Sequence, residues 1–291
     1  MRKLLGILTL AALAPVSSWA QLAPYNKMGV TFAHVHIRAK DRQRETLALM
    51  SLGARLGNNL SPNMNVYFPG LLILLIDGDQ QPKGGTEGTI VDHIGFQVAD
   101  LADTLARVKS ANWGMHVKDV PGAKPGTAFL LTPSEVKIEL IENKKLKQPV
   151  VFDHVHYMVS QPSLKEMEDY YRTMFGAVGT GDTLSLPGGK LVFEKSDKPT
   201  VSPTGYAIDH IGFDIAGSHA GLKAFSDGLE AKGTKWSVKY RRMEFGNARP
   251  LDPSGVVIEL THGQDGYINY KHIEQEMQAC EARPIKPNPC W

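Results

Sequence analysis

The chain has little cysteine: Cys280 and Cys290 are the only two, both within the last twelve of 291 residues. A thiolate metal centre, an iron–sulfur cluster or a catalytic thiol is therefore not expected. In an oxidising compartment the two cysteines are expected to pair across a short tail loop. Excess charge is lacking too. Lysine and arginine total 32 against 30 aspartates and glutamates, with no long run of one sign, so nucleic acid is not an expected partner. The apolar run Leu4 to Val16 is shorter than the roughly 20 residues that cross a bilayer. It lies between a basic Met1-Arg2-Lys3 and a small-residue Ser18-Trp19-Ala20, the order of a cleavable export signal. The expectation is an exported, periplasmic protein with no membrane span after residues 1–20 are removed, acting as a monomer or homodimer.

Repetition is what the chain has in abundance. "TFAHVHIRA" at 31–39 returns as "FDHVHYMV" at 152–159, and "VDHIGFQVADLADTLARVKS" at 91–110 as "IDHIGFDIAGSHAGLKAFSD" at 208–227. "TPSEVKIELIE" at 132–142 returns as "DPSGVVIELTH" at 252–262. Two modules, 28–143 and 150–263, follow from this, with 264–291 as a tail that packs over a module or makes a dimer contact. A finer repeat lies inside each half. An alternating strand opens a unit, a helical stretch follows, and short strands close it. After "FDHVHYMV", Leu164, Met167, Tyr170, Tyr171 and Met174 recur at helical spacing, between a start at Pro162-Ser163 and a stop at Gly176. After "DHIGFDI", Leu222, Phe225 and Leu229 share a helical face that ends at Gly233. The fold class is α+β, built of four strand–helix–three-strand (βαβββ) units.

Strand alternation places His154 and His156 on one face, opposite Val155 and Tyr157. By the same rule Glu259 lies opposite Ile258 and Leu260, and Glu194 opposite Phe193. One face of these strands is apolar, and the other carries His154, Glu194, His210 and Glu259.

This pattern, with Asp-His opening a unit and Asp-Pro-x-Gly…Glu closing one, resembles the vicinal oxygen chelate superfamily of glyoxalase I, bleomycin-resistance proteins and extradiol dioxygenases. The resemblance covers nearly all of 28–263. It implies that paired units close into a cup and hold one divalent metal (Zn, Ni, Fe(II) or Mn) per active module. Carried over by position, the ligands are His154, His210 and Glu259, with Glu194 a fourth ligand or an adjacent base. Glu194 and Glu259 are the catalytic candidates, and His156 and Arg249 the candidates for substrate contact. His34, His93 and Glu139 occupy the equivalent places in the first module, which either holds a second metal or is a degenerate copy. Asp77 stands sixteen residues before His93, as Glu194 does before His210.

The implied reaction places two neighbouring oxygens of a small substrate on the metal. A lyase- or isomerase-type reaction like that of glyoxalase needs a base, which Glu194 or Glu259 would supply. Ring cleavage of the dioxygenase type fits the metal triad less completely. Arg249 stands where that signature has tyrosine, and no histidine lies between His219 and Glu259. The alternative is a metal-independent, exported binding protein.

Overall fold

A computed structural model describes residues 22–57, 64–76 and 81–264. The expected export signal, Asp77, Cys280, Cys290 and the tail beyond Gln264 lie outside these residues. The first unit holds β1 (Val30–Arg38), α1 (Arg42–Leu52), β2 (Arg55–Leu56), β3 (Met64–Phe68) and β4 (Leu71–Ile76). The second holds β5 (Val91–Val98), α2 (Leu101–Ala111), β6 (His116–Lys118), β7 (Thr127–Leu131) and β8 (Lys137–Glu142). The third is β9 (Val150–Val159), α3 (Leu164–Phe175), β10 (Val178–Thr180), β11 (Thr183–Leu186) and β12 (Gly189–Lys195). The fourth is β13 (Ile208–Ile215), α4 (His219–Ala231), β14 (Lys235–Arg241), β15 (Asn247–Leu251) and β16 (Ile258–Thr261). Strand, helix and three strands thus occur four times, as the repeats predict.

The units pair differently from the sequence expectation of two contiguous modules. One eight-stranded sheet runs β14-β15-β16-β13-β1-β4-β3-β2, joining the fourth unit to the first. The other runs β10-β11-β12-β9-β5-β8-β7-β6, joining the third to the second. At the centre of each, two opening strands meet antiparallel, β1 with β13 and β5 with β9. Each opening strand has its own closing strand parallel on its other side.

The physical reason lies in the connections. The short link 143–149 keeps the chain within the second sheet, whereas two longer links cross between sheets. Those links run side by side: Ile90 N–H donates to Val201 O at 2.9 Å, Val201 N–H to Gly88 O at 3.1 Å, and Ala207 N–H to Gly84 O at 3.0 Å. The chain leaves the first sheet and returns to it along the same seam.

The apolar faces of both sheets meet in one buried cluster. Phe32 of β1 packs on Phe152 of β9 with ring centroids 5.1 Å apart, and on Phe213 of β13 at 5.6 Å. A bulge separates Phe32 from His34 in the pairing of β1 with β13, and the pairing of β9 with β5 shifts in the same way between Phe152 and His154. The extra residue lets phenylalanine enter the core while the histidine two places on faces the other side.

Candidate metal centres

Each sheet gathers histidines from its two central strands. In the first sheet His34 and His36 of β1 meet His210 of β13 and Glu259 of β16, all four buried. Glu259 Oε2 lies 3.1 Å from His34 Nε2, 3.0 Å from His36 Nε2 and 3.3 Å from His210 Nε2. In the second sheet His93 of β5 meets His154 and His156 of β9. Glu139 Oε2 of β8 stands 3.4 Å from His154 Nε2 and 3.6 Å from His93 Nε2. His36 stacks on His210 at 4.1 Å between centroids, and His156 on His93 at 4.3 Å. The two clusters are copies: His34, His36, His210 and Glu259 correspond to His154, His156, His93 and Glu139.

The far side of most rings is tied down. His210 Nδ1 meets Asp209 Oδ1 at 2.6 Å, His93 Nδ1 meets Asp92 Oδ1 at 2.7 Å, and His154 Nδ1 meets Asp153 Oδ2 at 2.9 Å. Where β1 has Ala33 instead of aspartate, Gln264 Oε1 takes the role, 2.8 Å from His34 Nδ1. These acceptors are held in turn. Arg38 Nε and Gly205 N–H donate to Asp209 Oδ2 at 2.6 and 2.7 Å, Lys190 Nζ to Asp153 Oδ1 at 2.8 Å, and Lys137 pairs with Asp92. An imidazole that donates from Nδ1 presents a lone pair at Nε2, the arrangement that supports a metal ligand.

Charge follows from these contacts. Burial would raise Glu259, but its close contacts with His210, His34 and His36 outweigh it and hold the carboxyl well below its usual range. Burial would lower His210, yet Asp209 and Glu259 together push it above its ordinary value. Burial, reinforced by His210, drives His36 down to about 3. Burial beside His93 and His154 does the same to His156, also to about 3. Both are neutral imidazoles at neutral pH, the form that binds metal.

The donors fit a cation better than they fit one another. Among the described residues His36 Nδ1 is buried with no hydrogen-bond partner, and His36 Nε2 lies near Glu259 without hydrogen-bonding geometry. His93 Nε2 is likewise buried without a hydrogen-bond partner. Nitrogen lone pairs and a carboxylate oxygen facing one point repel each other unless a positive charge stands between them.

The structure therefore regroups the residues that the resemblance placed together. His154 does not meet His210 and Glu259, because β9 and β13 lie in different sheets. Glu194 does not stand with His210 and Glu259. It stands mostly exposed in the other sheet, 3.2 Å from His156 Nε2. His34 and Glu139 also part, His34 to the first cluster and Glu139 beside His154 and His93, and His156 sits among the donors of the second cluster. Arg249 turns to Glu259 Oε1, at 3.0 Å from Nε and 2.7 Å from a terminal nitrogen, where Asn247 also bonds. Sequence reasoning left out His36, Asn247, Gln264 and the orienting role of Asp92, Asp153 and Asp209. The repeated His-Val-His and Asp-His pairs were the available signals for His36 and for the three aspartates.

No family model matches the chain, and no curated protein matches it in sequence. Solved structures do match. Glyoxalase I from Zea mays is 17% identical, with a TM-score of 0.60 over 85% of this chain and 96% of that one. A point mutant of the same maize enzyme, in its own crystal form, gives 0.62 at 16% identity over 82% and 95%. A Bacillus subtilis protein proposed to be a dioxygenase gives 0.55 at 16% identity over 82% and 86%. With four strand–helix–three-strand units paired about central antiparallel strands, this chain has the vicinal oxygen chelate fold in a single-chain, four-unit form.

Proposed function

We propose that the protein is a divalent-metal-dependent enzyme whose small substrate binds through neighbouring oxygens. One metal is held by His34, His36, His210 and Glu259, a second by His93, His154, His156 and Glu139. The observation that carries this reading is the approach of three buried imidazole nitrogens to a single oxygen of Glu259. Three imidazoles and a carboxylate suit Zn, Ni, Fe(II) or Mn. Such a metal supplies Lewis acidity to the substrate oxygens it binds.

The chain's own groups divide the remaining work. Arg249 and Asn247 hold the outer oxygen of Glu259 and leave Oε2 facing the histidines. A carboxylate so held is a weak proton acceptor, which makes Glu259 a ligand and not a base. Glu139 carries no guanidinium clamp among the described residues. Glu194, open to solvent and in contact with His156, is the group placed to move a proton at the second centre. Proteins of similar fold are named for glyoxalase and dioxygenase chemistry, which supports an enzyme over a metal-free binder.

Elemental analysis of the purified full chain tests this. Metal is expected at both centres, with His210→Ala losing the first and keeping the second, and His154→Ala the reverse. A screen of diols, α-keto acids and aldehydes then identifies the reaction class. Protein that binds no divalent metal overturns the reading.

A further inference from the structure

A cleft of about 230 Å³ opens beside the first centre, with His36 and Glu259 in its lining. Leu72, Leu74 and Phe245 form part of its wall, and Asn65 of β3 lies at its side. The strand register places Asn65 in one cross-strand row with the metal-site histidines: His210 pairs with His36, His36 with Leu74, and Leu74 with Asn65. Asn65 is thus two strand spacings from His36, about 10 Å. It is almost wholly buried, at 1% exposure. Among the described residues neither its side-chain oxygen nor its nitrogen has a hydrogen-bond partner.

A buried amide with both atoms unpaired destabilises the fold unless something else satisfies it. A β-strand position flanked by Leu74 would be better filled by an aliphatic residue on stability grounds alone. The copy of this place in the other sheet carries no such group. There the row runs His93, His156, Val192 and Thr183, and Thr183 already bonds Asp182 at 3.1 Å. The unpaired amide belongs to one centre only.

Resting on the metal-dependent reading above, we infer that Asn65 is a specificity residue for the first centre, receiving the far end of a substrate whose near end carries the chelating oxygens. An amide offers one acceptor and a donor pair, so its complement is a group with both, such as a carboxamide or lactam edge. That far group is uncharged. No lysine or arginine lines the cleft among the described residues, whereas Glu244 and Glu259 do. The leucines and Phe245 accept an apolar body between the two ends. A thiol conjugate bearing several carboxylates would find no cation there.

Three alkyl hydroxamates of matched length, ending in carboxamide, carboxylate or methyl, test this by calorimetric titration of the metal-loaded full chain. The hydroxamate supplies the neighbouring oxygens and the tail probes Asn65. The carboxamide is expected to bind about tenfold tighter than the methyl probe, the size of one good hydrogen bond, and the carboxylate weakest. Asn65→Leu should erase that preference, keep the metal content and the affinity for the methyl probe, and raise the melting temperature. Asn65→Thr, which copies the other sheet, should also erase it and serves if the leucine variant does not fold. Metal binding with a flat or carboxylate-first order, or a preference that survives either substitution, overturns the assignment of Asn65 alone. A chain that holds no metal and binds none of the three probes overturns the metal-dependent reading and this inference with it.

Discussion

His34 faces Gly212 across the central pair of the first sheet, and His154 faces Gly95 across that of the second. A Cβ on either glycine would clash with Cε1 and the ring nitrogens of the opposing imidazole, so the Gly of each "DHIG" and the first His of each "HVH" are two halves of one fit. Gly212→Ala should displace His34 and release metal from the first centre while leaving the second loaded, a difference that elemental analysis reads directly. Gly95→Ala should do the converse; loss of both metals from either variant would contradict independent centres. Glu45 of α1 presents a different residue-scale case. It is buried, accepts the Ser134 N–H at 2.9 Å through Oε2, and among the described residues has no hydrogen-bond partner at Oε1. Burial raises its pKa, and hydrogen bonds from Thr132 and Ser134 only partly offset this. With the folded value above the ordinary 4.5, the favourable contribution is complete below that pH and is lost as pH rises through the folded value. Glu45→Gln is therefore expected to raise the melting temperature by a few degrees at pH 7 and to have little effect at pH 3. Thermal melts at both pH values check the order.

At the scale of the element, most of the pattern was legible. The helix after "FDHVHYMV" runs Leu164–Phe175, between the Ser163 and Gly176 that the sequence marks. Ser163 accepts from Glu166 N–H, and the Glu166 side chain reaches back to the Ser163 N–H, closing a capping box. Met167, Tyr171 and Phe175 form its buried face, one turn apart as helical periodicity requires. Ser163→Ala should cost about 1 kcal/mol of unfolding free energy, measured by urea denaturation with no change in metal content. The bulges were not legible. Strict alternation would put Phe32 and His34 on one face, and the structure separates them through the extra Ala33. Nothing local marks that insertion, because it is set by the pairing strand. The same bulge shift recurs at Phe152 and His154, the equivalent place on the other His-x-His strand.

For the whole molecule, alternation identified which side chains share a face but could not say which strands are neighbours. The first and third units are one type, with His-x-His on the opening strand; the second and fourth are another, with Asp-His and a closing Glu. Pairing first with second, or first with fourth, brings the same residue types together, so the repeats are compatible with either arrangement. Only the paired crossover links, invisible as motifs, decide between them. The consequence is testable. Each contiguous half contributes half of both sheets through β1 with β13 and β5 with β9, and the halves are joined at the exposed Lys144–Lys145 link. A chain split there and expressed as two pieces should elute from gel filtration as one complex carrying metal at both centres. Two self-contained halves would instead separate, each with its own metal, and that result would contradict the pairing. Neither half alone as a monomer should bind metal at full affinity, since His34 and His36 would lack His210 and Glu259, and His154 and His156 would lack His93 and Glu139. Metal titration of each isolated half against the reconstituted pair measures this. Duplication supplied the parts of the site twice, and the crossover determines which copies meet.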